Sequence, residues 1–256
     1  MDIRILGAHH CESQTTSCVC FLIDSTLAID AGGLTSNLSI SDQQKLAAIL
    51  LTHQHYDHIR DIPGIALNLS LRGASIKVYS TAKVCATIEA HLLNGEVYPE
   101  FQKLPVTKPA VSLNVIKPYE PQMVDGHEIL AVPVKHFNGT VGYQVSDKKG
   151  KIIFYTADTG PGLSECWKHI SPQLLIIDVT LPNVYEEFAR ETGHLTPNLL
   201  EQELIIFQEH KGYLPQIIAV HMDTGFEHKI KEEIAAVAEV LNITITMAQE
   251  GMQLHI

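Results

Sequence analysis

Three imidazoles and one carboxylate fall within six consecutive residues, His53-Gln54-His55-Tyr56-Asp57-His58. Nitrogen and oxygen donors packed this closely are the chemistry of a divalent cation. In an extended segment His53 and His55 project to the same side. If the chain then turns into a helix, Asp57 and His58 point at a second position nearby. One ion has no comfortable use for all four groups, so the spacing predicts a two-metal site.

Each ion in such a site wants three or four protein ligands and an open position. The later chain offers three candidates, each directly after an apolar run: His136 after residues 129–135, Asp158 after 152–157 and His221 after 216–220. Strand-end placement brings groups distant in sequence to one rim. Charge and reach assign His53, His55 and His136 to one ion, and Asp57, His58 and His221 to the other, with Asp158 bridging. A donor set without thiolate fits zinc first, and manganese or iron as well. His194 sits on a Gly-led loop before Thr196-Pro197, a good helix start. Near a metal centre that histidine is a candidate to donate a proton to a leaving oxygen.

The elements that must hold these groups alternate through the chain. Apolar or alternating runs at 3–6, 19–23, 27–29, 47–51, 76–79, 111–116, 128–134, 141–145, 151–155, 173–178, 216–220, 243–247 and 252–256 predict strands. Residues 146–150 make a hairpin turn between two of them. Helices are expected over 41–46, 63–71, 81–93, a short piece around Trp167, 197–209 and 229–241. Residues 92–101 are too irregular for a strand and read as a loop carrying aromatics. Strands flanked by helices in both halves predict an α/β (α+β) protein: two packed sheets with helices outside, one domain over 1–256.

A hydrophobic fraction of 45% and a charged fraction of 18% are those of a globular chain. The formal net charge of −11 counts against a nucleic-acid partner, though bound cations would still allow a small anionic substrate. No apolar stretch is long enough to cross a bilayer, so no membrane partner is expected. The first residues lack an export pattern, and the expected location is the cytoplasm. The composition leaves a homodimer open. Five cysteines, an odd number, do not suggest a disulfide framework. Cys18 and Cys20 alternate like core residues; Cys11, beside His9 and His10, is a weaker candidate for a third metal site. His9, His10 and the other six histidines are expected to be structural or solvated.

The His53–His58 cluster matches the signature of the metallo-β-lactamase superfamily, and His136, Asp158 and His221 follow its ligand order. That resemblance implies an αββα four-layer sandwich. It also implies that Asp30, in Asp30-Ala31-Gly32-Gly33, supports the metal-binding loop without ligating. Residues 178–183, the 193–197 run, the 94–101 loop and His221-Met222 further resemble the class II cyclic-nucleotide phosphodiesterases. Members of that group often carry Lys-Pro where this chain has Asp223-Thr224, which removes one positive contact. The resemblance implies a metal-dependent phosphodiesterase that cleaves a 3′,5′-cyclic nucleotide by attack of a metal-bridging hydroxide, with Asp57 and Asp158 at the metals and His194 as the acid. Asn183, Tyr98 and Phe101 become candidate substrate contacts. Rival expectations on the same ligands are a tRNA 3′-processing-type ribonuclease, an ester, thioester or lactone hydrolase, and a di-iron oxygen-binding or redox protein.

Overall fold

The apolar runs become strands in a computed structural model that describes residues 1–256. The first half contributes β1 (Asp2–Gly7), β2 (Cys20–Ile23), β3 (Leu27–Ile29), β4 (Ala48–Leu50), β5 (Ile76–Ser80) and β6 (Val111–Val115). The second contributes β7 (Gln122–Val124), β8 (His127–Pro133), β9 (Val141–Ser146), β10 (Ile152–Tyr155), β11 (Leu174–Asp178), β12 (Gln216–Val220) and β13 (Ile245–Met247), and β14 (Gln253–His255) closes the chain. They form two seven-stranded sheets, ordered β14-β1-β2-β3-β4-β5-β6 and β13-β12-β11-β10-β9-β8-β7.

The two halves share one plan, although no repeat is visible in the residues. In each sheet, three antiparallel pairings (β14 to β1 to β2 to β3; β7 to β8 to β9 to β10) lead into three parallel ones (β3 to β6; β10 to β13). Parallel strands are buried on both faces, which is why Ile49, Val78, Ile176, Ile177 and Ala219 are all sealed from solvent.

Helices cover the outer faces. They are α1 (Leu34–Asn37), α2 (Ile40–Gln43), α3 (Tyr56–Ile59), α4 (Ile62–Ser70), α5 (Ala82–His91), α6 (Ser164–His169), α7 (Glu186–Thr192), α8 (Pro197–Lys211) and α9 (Glu227–Leu241). Three apolar layers result, of 27, 23 and 21 buried residues; the first lies between the sheets, and the others lie under the helices of each half. Since no layer is thin, this is the four-layer αββα sandwich.

Some boundaries differ from the expected ones. The helix expected over 41–46 is a single turn, because Ser39 caps it by accepting from the Asp42 amide and the chain has already left it at Gln44. The short β7 and α7 were not expected; α7 buries only Ala189, so it has no apolar stripe to read. No helix is long and apolar enough to cross a membrane.

One polar cluster ties the two ends of the chain together. Glu250 accepts from the amides of Ala8 and Ser17 and from His9 Nδ1 at 2.7 Å. Burial opposes charge on both partners, yet their contact outweighs it: the His9 pKa is raised and the Glu250 pKa is lowered. A raised histidine stabilises the fold fully below its ordinary 6.5 and loses that contribution as pH rises past its folded value. A lowered carboxyl stabilises above its ordinary 4.5 and loses that contribution as pH falls past its folded value. Glu250→Gln is therefore expected to cost most stability between pH 4.5 and 6.5, with the deficit shrinking on either side. Urea unfolding of both proteins across that range checks it.

Candidate metal centre

Four strand ends and one helical turn build the site. His53 and His55 follow β4, and His55 opens α3, which carries Asp57 and His58. His136 follows β8, Asp158 follows β10 and His221 follows β12. Because these strands run the same way, their C-terminal ends share one rim. Backbone is strained there: Asp30, Ala157 and His221 have φ of 58°, 59° and 68°, left-handed values that side chains seldom adopt. α3 nests against the β3 exit because residue 32 is glycine; a Cβ there would lie 2.3 Å from the Asp57 carbonyl oxygen.

All seven candidate ligands converge, in the two groups expected. One donor atom each from His53, His55, His136 and Asp158 lies within 4.8 Å of the others, and the same holds for Asp57, His58, Asp158 and His221. Asp158 belongs to both groups. Its carboxylate lies 3.6 Å from His53 Nε2, 3.8 Å from His136 Nε2, 3.2 Å from His58 Nε2 and 3.3 Å from His221 Nε2. Asp57 Oδ2 lies 3.2 Å from His58 Nε2 and 3.4 Å from His221 Nε2.

Four of the five rings have their outer nitrogen engaged; His55 instead meets His136 Nε2 through Nδ1 at 3.1 Å, inside the cluster. Thr52 Oγ1 donates to Asp30, so its lone pair faces His53 Nδ1 at 3.0 Å. His58 Nδ1 donates to Asp30 Oδ2 at 2.8 Å, and His136 Nδ1 to the Gly193 carbonyl at 2.9 Å. Thr180 Oγ1 donates to Asp178 Oδ1 and accepts from His221 Nδ1 at 2.8 Å. Each of these rings is thereby held with a lone pair on Nε2 facing its neighbours. Lone pairs facing one another across 3–4 Å repel unless a cation lies between them.

The donor set fits metal on its own evidence. His53 Nε2, His58 Nε2 and Asp158 Oδ1 are buried and have no hydrogen-bond partner, and all three face the cluster. Buried polar atoms without partners are costly, so three at one point mark a place for a cation. Burial, and then the neighbouring His58, hold the His53 ring far below its ordinary pKa, which keeps it unprotonated. Burial opposes a charge on Asp158, but His221 and His58 outweigh it and keep the carboxyl ionised. Burial likewise opposes a charge on His58, yet Asp158, Asp30 and Asp57 strongly favour a proton on the Nε2 whose lone pair a cation would otherwise take. Positive charge is what the cluster lacks.

Asp30 is wholly buried and touches no candidate metal position; it fixes Thr52 and His58 instead. Asp30→Asn is expected to weaken metal binding roughly 10–100-fold, the usual loss when a ligand's own support is removed. Competition with a chelator of known affinity measures it.

His194 faces the same cavity, about 630 Å³ and open to solvent. Its Nδ1 is held by Asp178 Oδ2 at 2.8 Å, and its ring stacks 5.2 Å from His221. Burial works against a charge on His194, but Asp178 prevails and raises its pKa to about 9. The role of Asp178 and Thr180 was not anticipated. A carboxylate closing the all-apolar strand Leu174–Asp178, with Thr180 two residues on and so on the same side, was the available signal.

The substrate contacts need correction. Phe101 is buried and Tyr98 packs with it in the apolar layer beneath the first half's helices, away from the cavity. An irregular loop with aromatics is equally a loop that plugs a core. Asn183 faces neither: its side chain caps α8 by accepting from the Asn198 amide. Tyr56, Leu181 and Phe188 line the cavity instead. His10 was also missed; it lines the cavity with Asp223, to which Nε2 bonds at 2.8 Å. His9, His10 and Cys11 do not converge on a third site, because each is bonded elsewhere.

Comparison with known proteins places this geometry. A family profile described as Beta-lactamase superfamily domain matches residues 21–222. A 3′,5′-cyclic-nucleotide phosphodiesterase of Aliivibrio fischeri is 21% identical over 246 aligned residues, covering 78% of this chain and 73% of that protein. Crystal structures of unliganded yeast PDE1 (17% identity, TM-score 0.82, 100% and 99% of the two chains) and of the short form of human tRNase Z (19%, 0.69, 100% and 99%) share the fold.

Proposed function

The chain belongs to the β-lactamase superfamily, and from that premise we propose that it is a two-metal phosphodiesterase acting on small molecules, with 3′,5′-cyclic nucleotides as its substrates. The observation that carries this reading is the His194–Asp178 pair, which lines the cavity directly beside the candidate ligands His221 and His136. Likeness to the Aliivibrio fischeri cyclic-nucleotide enzyme supports the substrate class.

His53, His55 and His136 would hold one ion, Asp57, His58 and His221 the other, with Asp158 between. Two divalent ions, zinc by the nitrogen and oxygen donors, would supply Lewis acidity toward phosphoryl oxygens and a water that ionises near neutral pH. The chain's own groups do the rest. Asp158 and Asp57 set the charge of the centre, and the threonine and carboxylate supports keep the rings from turning. Asp178 fixes His194 Nδ1, so Nε2 is the atom left to face the cavity and pass a proton to the departing ribose oxygen. Leu181 and Phe188 give the sugar or base an apolar wall.

The test is elemental analysis joined to a substrate panel: cyclic AMP, cyclic GMP, an aryl phosphodiester, a thioester, a lactone and a precursor tRNA. About two ions per chain with cyclic-nucleotide turnover are expected. Turnover of the tRNA or the esters alone would overturn the assignment.

A further inference from the structure

A second cavity, about 720 Å³, adjoins the site and shares His136 with it. Its lining includes Lys83, Lys117 and Lys135 and no carboxylate, in a chain with 29 acidic and 18 basic residues. The local charge is thus opposite to that of the molecule. Lys83 and Lys135 form no ion pair, and Lys117 pairs only with Glu120, at 3.6 Å and in solvent. The stem of Lys135 runs past Gly162, which leaves Lys83 and Lys117 as the pair to test.

Two further features point to an anion. α5 starts at this cavity, and its cap residue Thr81 does not cap: its hydroxyl donates to the Gly139 carbonyl instead. The amides of Ala82, Lys83 and Val84 are left without an acceptor at the positive end of the helix dipole. Thr140, only 3% exposed, lines the same cavity, and its hydroxyl is buried with no partner. The same lining also carries apolar surface, with Val115, Pro118, Pro133 and a half-exposed Phe137. Phe137 also packs 5.4 Å from His55, so it joins this cavity to the metal centre.

We propose that the cavity binds a phosphoryl group carried on a planar or apolar body, which in chemical class is a nucleoside phosphate. The choice of a nucleotide rests on the phosphodiesterase reading; the anion site does not. Two sources share this chemistry: a second nucleotide of the substrate itself, or a separate nucleotide that modulates the site.

The probe is AMP, titrated calorimetrically into the metal-loaded chain and into the Lys83→Glu/Lys117→Glu variant. AMP at the metal centre is common to both proteins, so only their difference reports on the cavity. The variant is expected to lose one AMP per chain, or at least tenfold in affinity, with an unchanged metal content. Thr140→Val, which keeps the shape, is expected to weaken the same event and covers the case of a charge-reversed variant that fails to fold. Equal stoichiometry and affinity in all three proteins would overturn the proposal, whether or not cyclic nucleotides are turned over. Kinetics then separate the sources. A tenfold higher KM in the lysine variant for a 5′-phosphorylated dinucleotide, with cyclic AMP unaffected, places the anion on the substrate. A change in cyclic AMP turnover on adding AMP, seen in wild type and lost in the variant, makes it a separate ligand.

Discussion

Asp158→Asn is expected to lower phosphodiester turnover by on the order of 10³-fold or more, and to drop the bound metal from two ions per chain toward one. The substitution changes almost no volume, so the effect reads charge. Asp158 is 2% exposed, and its carboxylate lies within 3.8 Å of four imidazoles. It is the one anion common to both ligand groups. An amide offers one neutral oxygen, and its NH₂ would donate to imidazole lone pairs that the ions need. Two cations held together also repel, and an amide cannot screen them as a carboxylate does. Without metal the cost to the fold is small by comparison, since the imidazoles lose a counter-charge and no packing. Thermal unfolding separates the two effects: a chelator should lower the wild-type Tm markedly and the variant's by clearly less. A variant that keeps both ions and a tenth of the activity would refute the bridging role.

That centre was readable because its parts obey local rules. Apolar runs mark strands, and a polar ligand directly after one has to lie on the rim, so His136, Asp158 and His221 could be placed without knowing which strands were neighbours. The shared plan of the halves adds what the residues hide. Asp30 leaves β3 as Asp158 leaves β10, and both have left-handed neighbourhoods, at Asp30 itself and at Ala157. One carboxylate supports the ligands and its counterpart joins them. What could not be read depends on contacts across the chain. His10 meets Asp223 over 213 residues of sequence, and nothing near either residue announces the other. Tyr98 and Phe101 failed for a related reason: composition shows that a loop is irregular, not whether its aromatics face a cavity or fill a core. Asn183 beside Pro182 had a competing use as a cap for α8, a role that tertiary contact decides.

His194→Ala should separate proton donation from metal binding. Cyclic-nucleotide turnover is expected to fall roughly 10²–10⁴-fold, the usual worth of a positioned acid, while both ions stay bound. The leaving group sets the difference between substrates. A ribose alkoxide is a poor leaving group that needs a proton as the bond breaks; a nitrophenolate is stable without one. Turnover of an aryl phosphodiester should therefore fall far less, by about tenfold or under, for the same variant. Loss of a merely structural residue would depress both substrates alike, since it would disturb the stacked His221 ring and with it the metals. Asp178→Asn provides the intermediate case. It leaves His194 in place but weakens the bond that turns Nε2 toward the cavity, and it also removes the acceptor that orients Thr180 against His221. Its cyclic-nucleotide deficit should be smaller than that of His194→Ala, and its metal affinity should fall where that of His194→Ala does not. Equal losses on the two substrates in the alanine variant would remove His194 from the chemistry and return the acid's role to solvent.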